Sequence, residues 1–346
     1  MFYIRTDANE TIALGHLMRC LTIADAIRTL GEDVTFIKAD DYENARINEA
    51  GYSVICLGSD WNDMEGELPV LRDYIAEHKI HSLLVDSYQV TAKYLKELRQ
   101  QLKVFYLDDM ADKVYPADVI VNYAFDDRSQ IYKELYQDSQ TRFLLGSSYA
   151  PLRKAFRDIK PRNIRNAVSD ILVTTGGSDP YHILQIAAES LAANEKYQEI
   201  NFHLVIGACV EEAEAENIML HASRQENIRC YRNIPNMEEV MQRCDVAISA
   251  AGGTLYELCA CQTPTICLAF ADNQLPGIAA MERADIMLSI GDIRTWSIDQ
   301  IEAELVKDID RLQPADLRES YAKRMHAVTD GQGAIRLAKE LLELEI

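Results

Sequence analysis

The sequence predicts an α/β protein of two Rossmann-like domains with a cleft between them. Three features carry that expectation. Short apolar runs of strand length alternate with helix-length segments, the pattern of parallel sheets covered on both faces. The alternation stops once, over residues 151–168, and then restarts. With 346 residues the chain has the length of two domains, and at 48% hydrophobic residues it can bury a core in each.

Taken in order, residues 1–4 read as a short apolar strand and 5–13 as a polar loop. Leu17, Cys20, Leu21, Ala24 and Ile27 then recur at helical spacing, with Gly31 as the stop. Strands follow at 34–37, 52–57, 81–86, 104–107, 119–121 and 143–145, and helices are expected near 43–50, 68–77 and 91–101. Residues 151–168 hold Pro151, Pro161 and a basic cluster (Arg153, Lys154, Arg157, Lys160, Arg162, Arg165), which reads as a linker. Strands resume at 171–173, 203–206, 228–231, 246–249 and 265–268, with helices between them. The chain turns helical from about Ser297, and Gly331 and Gly333 open a last helix suited to packing back on the first domain. The expected division is therefore 1–150, a linker at 151–168, and 169–346.

Composition narrows the function. With 35 basic against 55 acidic residues the formal charge is −20, which disfavours nucleic acid and anionic membranes as partners. A small phosphorylated ligand stays compatible, because a local pocket can be positive on an acidic protein. No signal peptide is visible and no apolar run approaches the ~20 residues of a membrane span, so a cytoplasmic protein is expected. The eight cysteines lack a Cys-x-x-Cys pair, which fits reduced, buried thiols. No metal or cofactor is expected.

Four loops follow strands and concentrate small or polar residues. The first holds Gly15, His16 and Arg19, where a strand hands over to a helix; ligands of open α/β sheets bind at such places. Gly15 permits close backbone approach, and His16 is a candidate general base. A histidine there can also simply pack the turn. The second loop is Asp86-Ser87-Tyr88. The third runs from Thr174 through Gly176, Gly177 and Ser178 to Pro180, and the fourth from Ser249 through Gly252, Gly253 and Thr254. Paired glycines before a helix leave backbone N–H groups able to hold an anion, and two such loops suit a diphosphate. Tight turns alone would also call for those glycines, and neither loop matches Gly-x-Gly-x-x-Gly or a P-loop. Glu257, one turn after the fourth loop, suits two ribose hydroxyls or, more plainly, a helix N-terminus. Asp272, Asn273 and Gln274 suit a sugar or base, or a helix cap. The adjacent carboxylates Asp108 and Asp109 are those of a turn and N-cap rather than of a metal site.

The series Gly15-His16-Leu17-Met18-Arg19-Cys20-Leu21, Asp86-Ser87-Tyr88, Leu107-Asp108-Asp109, Gly146 with Tyr149-Ala150-Pro151-Leu152-Arg153, Thr175-Gly176-Gly177-Ser178-Asp179-Pro180 and Ala269-Phe270-Ala271-Asp272-Asn273-Gln274 occurs in one order. It resembles the UDP-sugar hydrolases of pseudaminic acid biosynthesis, the PseG family. Those enzymes convert UDP-2,4-diacetamido-2,4,6-trideoxy-β-L-altropyranose to UDP and free sugar. The resemblance runs from Arg5 to about Gly333. It implies the two-domain GT-B architecture, shared with the N-acetylglucosaminyltransferase MurG. It also implies that His16 is the catalytic histidine, that Tyr88 faces the sugar and that Arg153 matches an arginine after the first domain's last strand. Gly176, Gly252, Glu257 and Gln274 match the nucleotide side. Ser87 departs from the family, where histidine is common, so the sugar could differ.

The expected reaction is hydrolysis with inversion. His16 deprotonates a water aimed at the anomeric carbon, and the glycine loops hold UDP as it leaves. A GT-B glycosyltransferase, with an acceptor hydroxyl replacing water, would present a similar base and UDP site. A non-catalytic nucleotide-sugar binding protein would keep the third and fourth loops without needing Gly15-His16. A non-hydrolysing 2-epimerase fits less well, because only Asp86, Asp108 and Asp109 offer carboxylates for the sugar.

Overall fold

The computed structural model describes every residue except Glu10, Ala13, Asp127, Asp138, Asn233 and Ile346; two of these belong to the loop expected at 5–13. The polypeptide forms two compact units. Unit 1 comprises Met1–Lys154 with Gln332–Ile346, and unit 2 comprises Ala155–Gly331.

Unit 1 alternates β1 (Phe2–Thr6), α1 (Gly15–Thr29), β2 (Val34–Lys38), α2 (Asn44–Glu49), β3 (Ser53–Cys56), α3 (Met64–His78), β4 (Ser82–Asp86), α4 (Ala92–Leu98), β5 (Lys103–Leu107), β6 (Val119–Asn122), α5 (Ser129–Leu135) and β7 (Arg142–Leu145). The seven strands run in the order β3-β2-β1-β4-β5-β6-β7, and all their pairings are parallel. Successive strand residues serve opposite faces. Phe2, Ile4, Leu84 and Phe105 pack with Leu17, Cys20, Ala24 and Ile27 of α1. Ile37, Leu83, Val85 and Val104 pack on the other face with Leu71 and Ile75 of α3 and with Leu95 of α4.

Two expectations are corrected here. Arg5 and Thr6 lie in β1, not in the loop, because Arg5 is neutralised where it is buried. Its Nε donates to Glu67 Oε1 (2.8 Å), and its Nη1 pairs with Asp7 Oδ2 (2.5 Å). Tyr94 donates its hydroxyl to Glu67 as well (2.7 Å), so the charged group is satisfied inside the fold. Helix α3 starts at Met64, four residues before the expected position near 68. Asp63 caps it by accepting from Gly66 N, and acidic Glu65 and Glu67 occupy its first turn. Pro69 inside the helix suggests a later start than the cap allows.

Unit 2 contains β8 (Asp170–Thr174), α6 (Ile183–Ile186), β9 (Asn201–Ile206), α7 (Glu212–Ala222), β10 (Ile228–Arg232), α8 (Met237–Arg243), β11 (Val246–Ala250), α9 (Thr254–Ala260), β12 (Thr265–Ala269), α10 (Leu275–Arg283), β13 (Leu288–Asp292), α11 (Ile298–Arg311) and α12 (Ala315–Val328). Its six strands run β10-β9-β8-β11-β12-β13, again with every pairing parallel. Strand β13 and, in unit 1, helix α5 were not expected from the sequence. Ser297 starts α11 with a capping box closed by Gln300.

The basic stretch after residue 155 is tied down within unit 2. Arg162 donates to Thr263 Oγ1 (3.0 Å), and Arg165 pairs with Asp245 (2.5 Å) and Asp170 (2.8 Å). The final helix α13 (Gly333–Glu345) belongs to unit 1, where Leu337, Ala338 and Leu341 share a core with α1. Each sheet reverses its strand order once, at β1/β4 and at β8/β11. Crevices at such reversals, beyond the carboxyl ends of the strands, are the places where open α/β sheets take ligands.

Candidate functional site

In unit 1 the reversal carries a charged cluster. Helix α1 begins at Gly15, so His16, Arg19 and Cys20 fall at i, i+3 and i+4 and share one helix face. Strand β4 ends at Asp86, which lies beside Thr6 of β1 and reaches that face. His16 Nδ1 is 2.7 Å from Asp86 Oδ1. Arg19 grips the same carboxylate with two donors, Nε to Oδ2 (2.6 Å) and Nη2 to Oδ1 (2.5 Å). Cys20 Sγ donates to Oδ2 at 3.3 Å. Arg19 Nη1 reaches Asp109 Oδ1 (2.9 Å), beyond β5, and Tyr123 Oη (2.9 Å), beyond β6. Tyr88 Oη donates to Asp109 Oδ2 (3.1 Å), and the Tyr88 ring meets His16 edge to face with centroids 4.5 Å apart.

Charge fixes the tautomer. Burial disfavours an ionised Asp86, but Arg19 and His16 outweigh it and hold the carboxyl below its usual range. A carboxylate only accepts, so the bond to Asp86 needs the hydrogen on His16 Nδ1, which in the neutral ring leaves the lone pair on Nε2; Arg19 Nη2 also lies 3.0 Å from Nδ1. Among the described residues Nε2 makes no hydrogen bond. Burial, followed by the Asp109 charge, pushes the Tyr88 hydroxyl up, and burial pushes Tyr123 up to about 12. Both phenols are therefore neutral near pH 7, Tyr88 donating to Asp109 and Tyr123 accepting from Arg19.

The residues expected at this end are placed as follows. Gly15 is exposed, with open space where a Cβ would stand. His16 is buried and Tyr88 is 48% exposed. Arg19 was expected to bind substrate, yet four of its N–H donors are engaged inside the cluster. Arg153 is half-buried in the segment after β7. Ser87 turns its hydroxyl into its own loop, donating to Gln89 Oε1 and accepting from Gln89 N (both 3.1 Å). Asp108 is a turn residue that accepts from Met110 N and Ala111 N. Asp86, Asp109 and Tyr123 were not among the expected site residues. Asp86 and Asp109 stand in segments that the sequence singled out, but Tyr123 has no motif around it.

In unit 2 the loops after β8 and β11 flank the reversal. Gly176 adopts φ +81, which only glycine takes without strain, and Gly177 and Ser178 are exposed. Asp179 pins the loop by accepting from Ile183 N (3.0 Å) and Leu184 N (2.8 Å). The loop leans on Gly207 at the end of β9, where any Cβ would collide with the carbonyl oxygens of Gly176 and Gly177. Cys209 N closes the contact by donating to Gly177 O (2.8 Å). Gly207 was also not expected; a lone glycine after an apolar strand is its only sequence signal. Gly252 and Gly253 are exposed with open space around their Cα atoms, and Thr254 and Glu257 are half-buried on α9. Asn273 is exposed. The Gln274 side-chain oxygen Oε1 accepts from Phe270 N (2.8 Å) and so shapes its loop.

Among the described residues, no group of three or more His, Cys, Asp or Glu side chains is placed to hold a metal ion. Among them, no helix is long and apolar enough to cross a membrane.

Residues 171–275 match the model of the glycosyltransferase family 28 C-terminal domain. The chain is 27% identical over 274 residues to an uncharacterized protein of Methanocaldococcus jannaschii, a match spanning 77% of this chain and 54% of that protein. It is 26% identical to the pseudaminic acid cytidylyltransferase and UDP-2,4-diacetamido-2,4,6-trideoxy-β-L-altropyranose hydrolase of Helicobacter pylori, covering 99% of this chain and 55% of that one. The chain thus spans about half the length of these two relatives. It is 24% identical to the spore coat polysaccharide biosynthesis protein SpsG of Bacillus subtilis, over 99% and 97% of the two chains. Acinetobacter baumannii MurG superposes with a TM-score of 0.68 at 13% identity, over 99% of this chain and 100% of that one. UDP-GlcNAc 2-epimerase of Neisseria meningitidis does so at 0.64 and 12% identity, over 99% of each. These likenesses, together with the two parallel sheets, give the architecture: two Rossmann-like α/β domains of the GT-B type.

Proposed function

We propose that the protein hydrolyses a UDP-linked diacetamido-trideoxy sugar to UDP and the free sugar, as a relative of the PseG hydrolases. The observation that carries this reading is the His16–Asp86 pair, with Nδ1 2.7 Å from a buried carboxylate oxygen; the Nδ1–H tautomer of the neutral ring leaves Nε2 as a base. A base oriented by a third group is the arrangement that activates a hydroxyl or a water. Water loses its proton to His16 Nε2 as its oxygen bonds the anomeric carbon. The bond from that carbon to the phosphate oxygen breaks, and UDP departs with the electron pair. One displacement inverts the anomeric centre. UDP is a good leaving group, so the chain needs no strong acid.

In this reading Tyr88 and Arg153 contact the sugar side. The loops at Gly176, Gly177, Ser178, Gly252, Gly253 and Thr254 accommodate the diphosphate, and the backbone at Gly15 allows close approach of the substrate beside His16. Glu257, Asn273 and Gln274 take the uridine side. Support comes from the activity named for the Helicobacter relative and from the family-28 match over residues 171–275. The enzyme would work in the cytoplasm, where UDP-sugars are made.

A glycosyltransferase is the second reading, favoured by the transferases among the structural relatives. A panel of UDP-diacetamido-trideoxyhexoses, with and without an acceptor, separates the two. In ¹⁸O-water the label should enter the free sugar and not UDP, and the first-formed anomer should be inverted. Label in UDP would place the attack at phosphorus and remove His16 from the mechanism.

A further inference from the structure

Arg19 stands one helical turn from His16 in the position of a substrate-binding cation, yet its guanidinium faces inward. Two of its donors close a fork on Asp86, at 2.6 and 2.5 Å, and Nη1 ties it to Asp109 and Tyr123, both at 2.9 Å. Its side chain is 13% exposed. Asp86, in turn, has both oxygens filled: Oδ1 by Arg19 and His16, Oδ2 by Arg19 and Cys20. We propose that Arg19 is a positioning residue for the His16 base rather than a substrate ligand, and that it holds the pair in the one protonation state that can act.

The argument is electrostatic. Asp86 is fully buried, and a lone buried carboxylate beside an imidazole draws a proton onto the pair. If His16 takes that proton, Nε2 becomes a donor and stops being a base. If Asp86 takes it, Nδ1 loses the acceptor that sets its tautomer. A fixed guanidinium on the same carboxylate prevents both outcomes, because it balances the charge without supplying a transferable proton. Among the described residues, the charged or titratable groups linked to His16 are Arg19 and Cys20 on α1, Asp86 ending β4, Tyr88 in the following loop, Asp109 beyond β5 and Tyr123 beyond β6. Asp109 is the anchor that keeps Arg19 from swinging outward, and its side chain is itself 27% exposed.

This inference rests on the proposed hydrolysis only for its kinetic arm. The first arm uses ¹⁵N-histidine NMR of the ligand-free full chain, with the His16 signals identified by their loss in His16→Asn. In the wild type the neutral ring should show the Nδ1–H tautomer. In Arg19→Gln the pH at which His16 takes up its proton should rise by about one unit, the order expected for removing an adjacent opposing charge. Arg19→Lys, which keeps the charge and loses the fork, should stay close to the wild-type midpoint.

The second arm follows UDP release. Arg19→Gln should lower kcat tenfold or more, move the acid limb of kcat/KM upward with the NMR midpoint, and leave KM and UDP inhibition within twofold. Arg19→Lys should lower kcat with KM held. An unmoved midpoint in Arg19→Gln, or a raised KM with kcat intact in either variant, would overturn the assignment and return Arg19 to the substrate. If the wild type releases no UDP from any sugar, the hydrolysis reading fails while the NMR arm still decides the role of Arg19. If Arg19→Gln does not fold, the KM-against-kcat split in Arg19→Lys decides.

Discussion

At the strand reversal of unit 1 the chain ends its strands in side-chain chemistry: an imidazole, two carboxylates and two phenols around one arginine. At the matching reversal of unit 2 it ends them in backbone, with Gly176 half-buried, Gly177, Gly252 and Gly253 exposed, and Gly207 wedged beneath the first pair. The scaffolds are alike, parallel sheets with a single change of direction. The difference lies in what each edge must hold. A proton carrier needs a fixed tautomer and therefore a network of charged groups. A diphosphate needs N–H groups that approach closely, and a side chain would stand in their way. Unit 1 should thus be sensitive to charge changes that leave shape alone, and unit 2 to shape changes that leave charge alone.

The largest expected effect tests the first half of that contrast. His16→Asn retains a polar group of similar reach but removes the base. Turnover of the UDP-sugar should fall by roughly 10²–10⁴-fold, the usual contribution of a positioned general base. UDP binding, measured by calorimetry, should be unchanged, because the nucleotide is assigned to the other unit. Near-full turnover would take His16 out of the reaction.

The second half is tested at Gly207. Gly207→Ala adds one methyl and no charge, but its Cβ would strike the carbonyls of Gly176 and Gly177. Neither carbonyl belongs to a flexible side chain, so the loop itself has to shift. Overpacking of this kind costs about 1–3 kcal/mol. UDP affinity should drop about tenfold or more, and the melting temperature should fall with it. A variant that binds UDP as the wild type does would separate the glycine loop from the nucleotide.

Glu257→Gln sharpens the contrast from the other direction, as a charge change in the unit proposed to work by shape. The carboxylate is assigned to the ribose hydroxyls, and losing a charged hydrogen-bonding partner costs about 1.5–3 kcal/mol. UDP should bind about tenfold more weakly with the fold intact. Unchanged affinity would leave Glu257 as a helix-start acid only.

The alternation of the fold was legible because strands buried on both faces read as unbroken apolar runs. The nearness of His16 and Arg19 to each other was legible too, since a separation of three on a helix gives a shared face. Their partner was not. Asp86 stood in plain view at the end of an apolar run, but its contact with His16 depends on β4 lying beside β1 with β2 and β3 passed over. That order is a tertiary choice with no local signature. Arg5 failed for a related reason: a charged residue reads as loop unless Glu67, sixty-two positions away, is known to meet it. Gly207 shows a third limit, because a single glycine does not announce which carbonyl it makes room for.

The smallest expected effect concerns His203, which gives unit 2 a buried charge-sensitive group away from its glycine edge. It sits on β9 with Nε2 2.9 Å from Asp170 Oδ1 and Nδ1 2.9 Å from Tyr231 Oη, its ring stacked on that tyrosine at 5.8 Å. Burial lowers its pKa, outweighing Asp170, with Arg243 and Arg229 acting in the same direction as burial. Arg165 shares the Asp170 carboxylate and limits what it can offer an imidazolium. A histidine with a lower pKa folded than unfolded takes up its proton first in the unfolded chain. Its contribution to stability is therefore whole above about pH 6.5 and is lost as pH falls through that value toward the folded pKa. One full proton is worth about 1.4 kcal/mol per pH unit. Denaturant unfolding at pH 7.5 and 5.5 should show the wild type losing stability on acidification, and His203→Phe, which keeps the stacking and cannot titrate, losing measurably less. Equal losses in the two proteins would mean that His203 is not the group through which unit 2 feels acid.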